Sequence, residues 1–338
     1  MSKRQLFARV FRTSGAAALL RRSSGANRLT VLAYHRIIDP YEPTFDAFEP
    51  NVSATPAMFQ KQMAFVAQHY TVISLQQLQV YVTQGVPLPR YPLLITFDDG
   101  YLDNYQNALP ILKHFGFPAV IFLMTHRMAH TTVPAWWDEA AYYLRHTSLT
   151  KLRLPFLGEV ELNGTADQRI ALRKSFVQAL KSAQPDQRQA ILDQLPELLD
   201  VPPHPQNQPI FVSWEQVNKL VAAGIACQAH TVNHPILTEI SLDAVREEVQ
   251  QSREMIEAHT SQNVYAFAYP NGQPQDYNRE IMDILAEVGY QLAFTLSPGN
   301  LSLNQVRHTP LEISRVFLGY KDDLDIFALK LSGLKAIA

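Results

Sequence analysis

The chain has 338 residues, 47% apolar and 18% charged, with a net charge of −2 and a single cysteine, Cys227. These figures exclude a disordered chain, an intrachain disulfide and a global basic field of the kind that holds nucleic acid. The length allows one large domain or two smaller ones, and no apolar run is long enough to cross a membrane as a helix.

The first 28 residues form a basic amphipathic segment. Lys3, Arg4, Arg9, Arg12, Arg21, Arg22 and Arg28 are interleaved with Leu6, Phe7, Val10, Phe11, Leu19 and Leu20, and no acid precedes Asp39. Arg9 and Arg12 break the apolar core that a secretory signal needs. The segment reads either as a helix packed on the domain or as a peripheral helix on an anionic membrane surface. With no such signal and one cysteine, the expected compartment is the cytoplasm, at the inner membrane surface if lipid is engaged.

Leu29 to Arg36 is a predicted strand that ends in His35, and residues 39–54 read as a loop. Thr55-Pro56 opens a helix, Ser74 caps a second, and Leu93 to Phe97 is a short apolar strand that stops at Asp98-Asp99-Gly100. Asp103 opens a helix to about Phe115. Ala119 to Leu123 is apolar throughout, as expected of a strand buried on both faces. Residues 126–212 are read as a mostly helical insertion, with helices near 136–147, 167–182 and 185–199. Ser213 caps a helix, 225–229 is a strand, Ser241 caps a long charged helix, and strands follow at 264–269, 290–296 and 313–318. Strand and helix alternate through roughly eight strands, which predicts a parallel β/α fold. Its polar motifs sit just after strand C-termini, where barrel enzymes build their sites.

Two adjacent carboxylates at the end of a buried strand repel each other and are costly to dehydrate, so a cation is the simplest partner. His230-Thr231-Val232-Asn233-His234 likewise follows an apolar run. One carboxylate and two histidines make an ordinary ligand set for a catalytic divalent metal with an open position, leaving the other aspartate as a base. Taken alone, Asp-Gly is also a common turn pair, and two histidines are also common in loops. A zinc-protease reading fails because Thr231, not glutamate, follows the first histidine.

Together the two motifs resemble those of the polysaccharide deacetylases of the NodB-homology type, carbohydrate esterase family four. The matching residues are Thr96-Phe97-Asp98-Asp99-Gly100 and His230-Thr231-Val232-Asn233-His234. The resemblance implies an irregular (β/α) barrel of seven to eight strands over residues 29–338, with the helical insertion. It also implies a metal, usually zinc, held by Asp99, His230 and His234, with Asp98 as general base for a metal-activated water. The implied reaction is hydrolysis of N-acetyl groups on an amino-sugar polysaccharide or glycan precursor. Tyr34-His35 resembles a pattern that precedes the aspartate motif in poly-N-acetylglucosamine deacetylases, which makes His35 the expected general acid. His308, the late histidine, precedes a strand and so falls at the wrong end of a barrel.

The third motif of the family usually carries an arginine near a Pro-Tyr pair, whereas the stretch here, Phe267 to Gly272, has none. Arg315, a charge inside the apolar strand 313–318, needs a partner and is the candidate to orient Asp98; the alternative is an arginine on an exposed strand face. The Tyr101 backbone N–H is a candidate oxyanion donor. Tyr101, Tyr269 and Trp137 are candidate substrate-binding rings. Two other functions fit the residues less closely: a metal-dependent amidase on a non-sugar C–N bond, and a glycan-binding protein without turnover.

Overall fold

The computed structural model describes residues 3–14, 27–297 and 301–333, which divide into two compact units. The first unit comprises Met1–Ile38, Ser53–His130 and Phe211–Ala338; the second comprises Asp39–Val52 and Thr131–Ile210. Much of the basic segment, including Arg21 and Arg22, lies outside the described residues.

The first unit is organised on eight short strands: β1 Arg28–Tyr34, β2 Pro92–Phe97, β3 Ala119–Leu123, β4 Ile225–Ala229, β5 Ala266–Ala268, β6 Leu292–Thr295, β7 Ile313–Ser314 and β8 Val316–Phe317. From β1 to β7 they lie side by side in chain order, all parallel. β8 then pairs in parallel with β1, Leu32 opposite Val316 and Ala33 opposite Phe317. Residues 313–317 therefore hold both edges of the sheet and curl it into the expected irregular barrel. One strand was expected at 313–318; the chain divides it at Arg315.

Parallel pairing demands long crossovers, and helices supply them. Thr55, Ser74, Ser213 and Ser241, read as N-caps, each accept a bond from the backbone N–H three residues on. That satisfies one of the orphan donors at each helix start. Strand side chains alternate between two faces. Leu29 and Val31, Leu94, Val120 and Phe122, Ala266 and Ala268, Leu292 and Phe294, and Ile313 fall at alternate positions and share one buried cluster, the barrel interior. Counting on by two from these residues leads to His35, Asp98 and Arg315.

Asp103 to Phe115 is not a uniform helix. Asn104–Ala108 forms a π-helical turn before the α-helix Leu109–Phe115. Pro110 has no N–H to offer the Gln106 carbonyl, and its ring crowds that oxygen, which favours a widened turn just upstream.

The N-terminal helix Lys3–Thr13 packs Ala8 and Phe11 against Ile326 and Leu329 of the helix Leu324–Leu331. Arg12 pairs with Asp325. Leu6, Phe7 and Val10 remain exposed.

The second unit contains helices Trp136–His146, Ala166–Lys181 and Pro185–Leu199. It also holds a hairpin, Lys151–Leu154 with Gly158–Glu161, where no strand was expected. Its bounds, 131–210, are narrower than the expected insertion, and it recruits 39–52, which the sequence presents as a plain loop. The recruitment is polar. The Phe48 N–H donates to buried Asp138 (2.8 Å), and buried Glu49 accepts from Arg145 (2.9 Å) and Arg173.

Candidate metal centre

Leu94, Thr96 and Asp98 follow one face of β2, so alternation delivers the Asp98 carboxylate to the mouth of the barrel. Its backbone N–H continues the β1 ladder by donating to the Tyr34 carbonyl at 2.9 Å. Arg315 meets it from the closing strands as a two-pronged pair, Nη1 to Oδ1 at 2.7 Å and Nη2 to Oδ2 at 2.9 Å. The same guanidinium donates to Thr96 Oγ1 (3.2 Å) and to the Thr295 carbonyl (3.1 Å). Both charged groups are 1% exposed. Burial alone pushes the Asp98 carboxyl up; the Arg315 guanidinium, with smaller contributions from His230 and His35, outweighs it and holds Asp98 below its ordinary value. Asp98 is therefore ionised at neutral pH.

Asp99 departs from the alternation. It takes φ +72° and Gly100 follows at +77°, a left-handed turn that brings the second carboxylate to the same end of the barrel. Non-glycine residues enter that region at a cost of roughly 1–2 kcal/mol. A Cβ at 100 would lie 2.9 Å from Leu123 Cδ2, so that side chain would have to shift in addition to the positive φ.

The histidines come from the end of β4. The His230 N–H extends the β3 ladder to the Leu123 carbonyl at 3.0 Å. Thr231 and His234 both take positive φ, +65° and +61°, uncommon for a β-branched residue above all. The loop is held in that shape by short-range and remote bonds. Thr231 Oγ1 accepts the His234 N–H at 2.9 Å. Glu248, from the helix Leu242–Thr260, accepts the Val232 and Asn233 N–H groups (2.8 and 3.0 Å) and the Asn233 amide (2.8 Å).

The Nε2 atoms of His230 and His234 lie 3.6 and 3.7 Å from one oxygen, Oδ1 of Asp99. All three ligand atoms fall within 4.8 Å of one another. Bonds of about 2.0–2.2 Å in tetrahedral array would space ligand atoms roughly 3.3–3.6 Å apart. His230 Nδ1 is engaged by the Ala268 carbonyl at 2.7 Å, which assigns the proton to Nδ1 and leaves Nε2 with a lone pair facing the site. Burial pushes the His230 imidazole down, against the opposing pull of Asp98 and the Ala268 bond. A neutral, oriented imidazole is what a divalent cation requires, so the donor set fits a metal.

His35 follows β1 on the interior face. Its Nε2 stands 4.0 Å from Asp98 Oδ2, and its ring meets Phe317 edge to face at 5.7 Å. The structure thus brings His35, Asp98, Asp99, His230, His234 and Arg315 to one end of the barrel. His308 is exposed, its ring bonded to the Asn304 carbonyl one turn back.

The three aromatic rings expected to stack on a sugar are packed inside. Tyr101 stacks on Phe211 at 4.8 Å under the Arg36 guanidinium, and Tyr269 stacks on Tyr277 and donates to the Leu311 carbonyl. Trp137 is a core residue of the second unit. Sequence shows that a residue is aromatic, not whether its face is covered, and these three faces are covered by neighbours. Glu248 was missed. On a long charged helix it looks like any solvent-facing acid.

A family model described as polysaccharide deacetylase matches residues 85–293. A relative from Bacillus subtilis, YxkH, whose name places it among the polysaccharide deacetylases, is 22% identical over 236 residues, 70% of this chain and 56% of its own. The poly-beta-1,6-N-acetyl-D-glucosamine N-deacetylase of Escherichia coli is 30% identical over 95 residues, 28% of this chain and 13% of its own. The chain thus spans about half the length of the first curated relative and a small part of the second. Two solved structures share the fold. The deacetylase PplD from Streptococcus pyogenes, in complex with acetate, has a TM-score of 0.59 at 20% identity and covers 90% of this chain and 98% of its own. IcaB from Ammonifex degensii has a TM-score of 0.56 at 18% identity, over 91% and 98%.

Proposed function

This chain belongs to the polysaccharide deacetylase family, and from that premise we propose that it is a metal-dependent N-deacetylase of an amino-sugar glycan. The observation that carries the reading is the meeting of Asp99, His230 and His234 beside a second carboxylate that Arg315 keeps ionised. The names of the curated relatives favour a poly-N-acetylglucosamine, and so an exopolysaccharide, as the substrate class. Zinc is the metal that two imidazoles and one carboxylate suit best; when bound it polarises the amide carbonyl and acidifies water.

The chain's own residues supply the proton transfers. Asp98 accepts a proton from the attacking water as the C–O bond forms. The negative charge that develops on the carbonyl oxygen is met by the Tyr101 backbone N–H. His35 gives its Nε2 proton to the sugar nitrogen as the C–N bond breaks, releasing acetate and a free amine. Arg315 fixes the Asp98 carboxylate and keeps it charged.

The test is acetate release from N-acetylglucosamine oligomers by protein stripped with chelator and then reloaded with zinc. Loss and recovery in step with zinc content is the expected result. Bound zinc without acetate release would refute the substrate class.

The N-terminal helix has a second role in this reading. Exposed Leu6, Phe7 and Val10, in a segment rich in arginine and without acid before Asp39, are suited to the surface of an anionic bilayer, with the catalytic unit on the cytoplasmic side. The protein is expected to sediment with phosphatidylglycerol vesicles and not with phosphatidylcholine vesicles. Equal sedimentation of a Leu6→Glu/Val10→Glu variant would exclude the helix as the contact.

A further inference from the structure

An acid catalyst must be held to within a few tenths of an ångström of its target, and His35 lies in the gap between β1 and the short strand Arg36–Ile37, outside both. Side chains hold four backbone groups of residues 35–37. The His35 N–H donates to Ser53 Oγ at 2.9 Å. The His35 carbonyl accepts from Asn104 Nδ2 at 2.7 Å. The Ile37 N–H donates to Asp103 Oδ1 at 2.6 Å, and the Ile37 carbonyl accepts from Asn107 Nδ2 at 2.8 Å. Asp103 Oδ2 also takes Arg36 Nε at 2.9 Å, and the Arg36 guanidinium lies over the Tyr101 ring at 4.5 Å. Asp103, Asn104 and Arg36 are each less than a tenth exposed.

Three of the four holding side chains lie on one short stretch, 103–107, which begins three residues after Asp98-Asp99-Gly100 and overlaps the π-helical turn Asn104–Ala108. The turn that presents the base and a metal ligand thus continues directly into the clasp that holds the segment carrying the acid. We propose that Asp103, Asn104 and Asn107 are positioning residues for His35, fixing the separation between general acid and general base through one continuous piece of backbone. Asp103 is the centre of the clasp, because it binds both the Ile37 amide and the charge of Arg36. The inference rests on the assignment of His35 as the acid.

A purely structural role would affect all substrates alike, whereas a misplaced acid matters only when the leaving group needs a proton. An amide nitrogen does; 4-nitrophenolate, a stable anion, does not. The experiment compares zinc-loaded wild type, Asn104→Ala, Asn107→Ala, Asp103→Asn and His35→Ala on N-acetylglucosamine oligomers and on 4-nitrophenyl acetate, with zinc content and circular dichroism as controls. General acid catalysis contributes about 10²–10⁴-fold, so a displaced acid should lower kcat on the amide by about tenfold or more with KM unchanged. The loss on the ester should be at least several-fold smaller, and His35→Ala should show the same selectivity more strongly. Equal losses on both substrates in folded, zinc-replete Asn104→Ala, or no loss on the amide, would overturn the clasp while leaving a selective His35→Ala result intact. A His35→Ala variant without selectivity would instead overturn the acid assignment and the clasp with it. The two asparagine variants leave the Asp103–Arg36 pair in place, so the test stands even if Asp103→Asn does not fold.

Discussion

The two halves of the candidate metal centre are held in different ways. The aspartate half, at the end of β2, is set from within the barrel: alternation places Asp98, a left-handed turn places Asp99, and a fully buried arginine closes on the carboxylate from the last strands. The histidine half, at the end of β4, is a strained loop tied from outside by a glutamate on a partly solvated helix. In the first half, site and fold are the same interactions. In the second they are separable, so the histidine loop can be altered with little effect on the barrel.

Arg315 gives the strongest way to break that contrast. Removing one partner of a buried ion pair costs about 3–5 kcal/mol, because the other charge stays buried. Arg315→Met should therefore lose stability of that order in urea unfolding of the chelated protein. The sign with pH is fixed by the pKa direction. In the wild type Asp98 sits below its unfolded value, so its contribution is present above that value and is lost as pH falls through the lower folded value. In Arg315→Met only burial remains as the main influence and raises the carboxyl, so the stability deficit should be largest at neutral pH and narrow toward about pH 4. A deficit independent of pH would refute the pairing as its source. Arg315→Lys keeps the charge but not the fork, so it should lose less stability and move the acidic limb of kcat/KM upward.

Glu248→Gln should have a smaller effect of a different kind. Second-sphere partners of metal ligands are worth about 10–100-fold in affinity. Zinc affinity by chelator competition should fall by about tenfold, with the urea midpoint of the chelated protein shifted little. An equal fall in stability would remove the distinction between the two halves.

Each half was legible in the sequence to a different depth. Asp98, Asp99, His230 and His234 stand out because apolar strands stop at them, and Arg315 because a charge inside an apolar strand demands a partner. His35 could be reached by counting in twos from Leu29. The residues that hold these groups were not visible. Asp103, Asn104 and Asn107 read as an ordinary helix start, Glu248 as a surface acid, and residues 39–52 as a loop, although Glu49 is bonded to two arginines of the second unit. Periodicity reports which face of an element is buried. It does not report which distant backbone group a polar side chain will meet.

Arg315 also lies where the barrel closes. Residues 313–317 pair with β6 and β1, one early and one late in the chain. The β1 pairing, Leu32 opposite Val316, has a long sequence separation, and such contacts form slowly, after the local helices and neighbouring strand pairs. Asp99, His230 and His234 belong to earlier strand ends, whereas the partner of Asp98 arrives only with this segment. Barrel closure and the charge balance of Asp98 thus depend on the same five residues: until 313–317 is in place, the carboxylate has no buried countercharge.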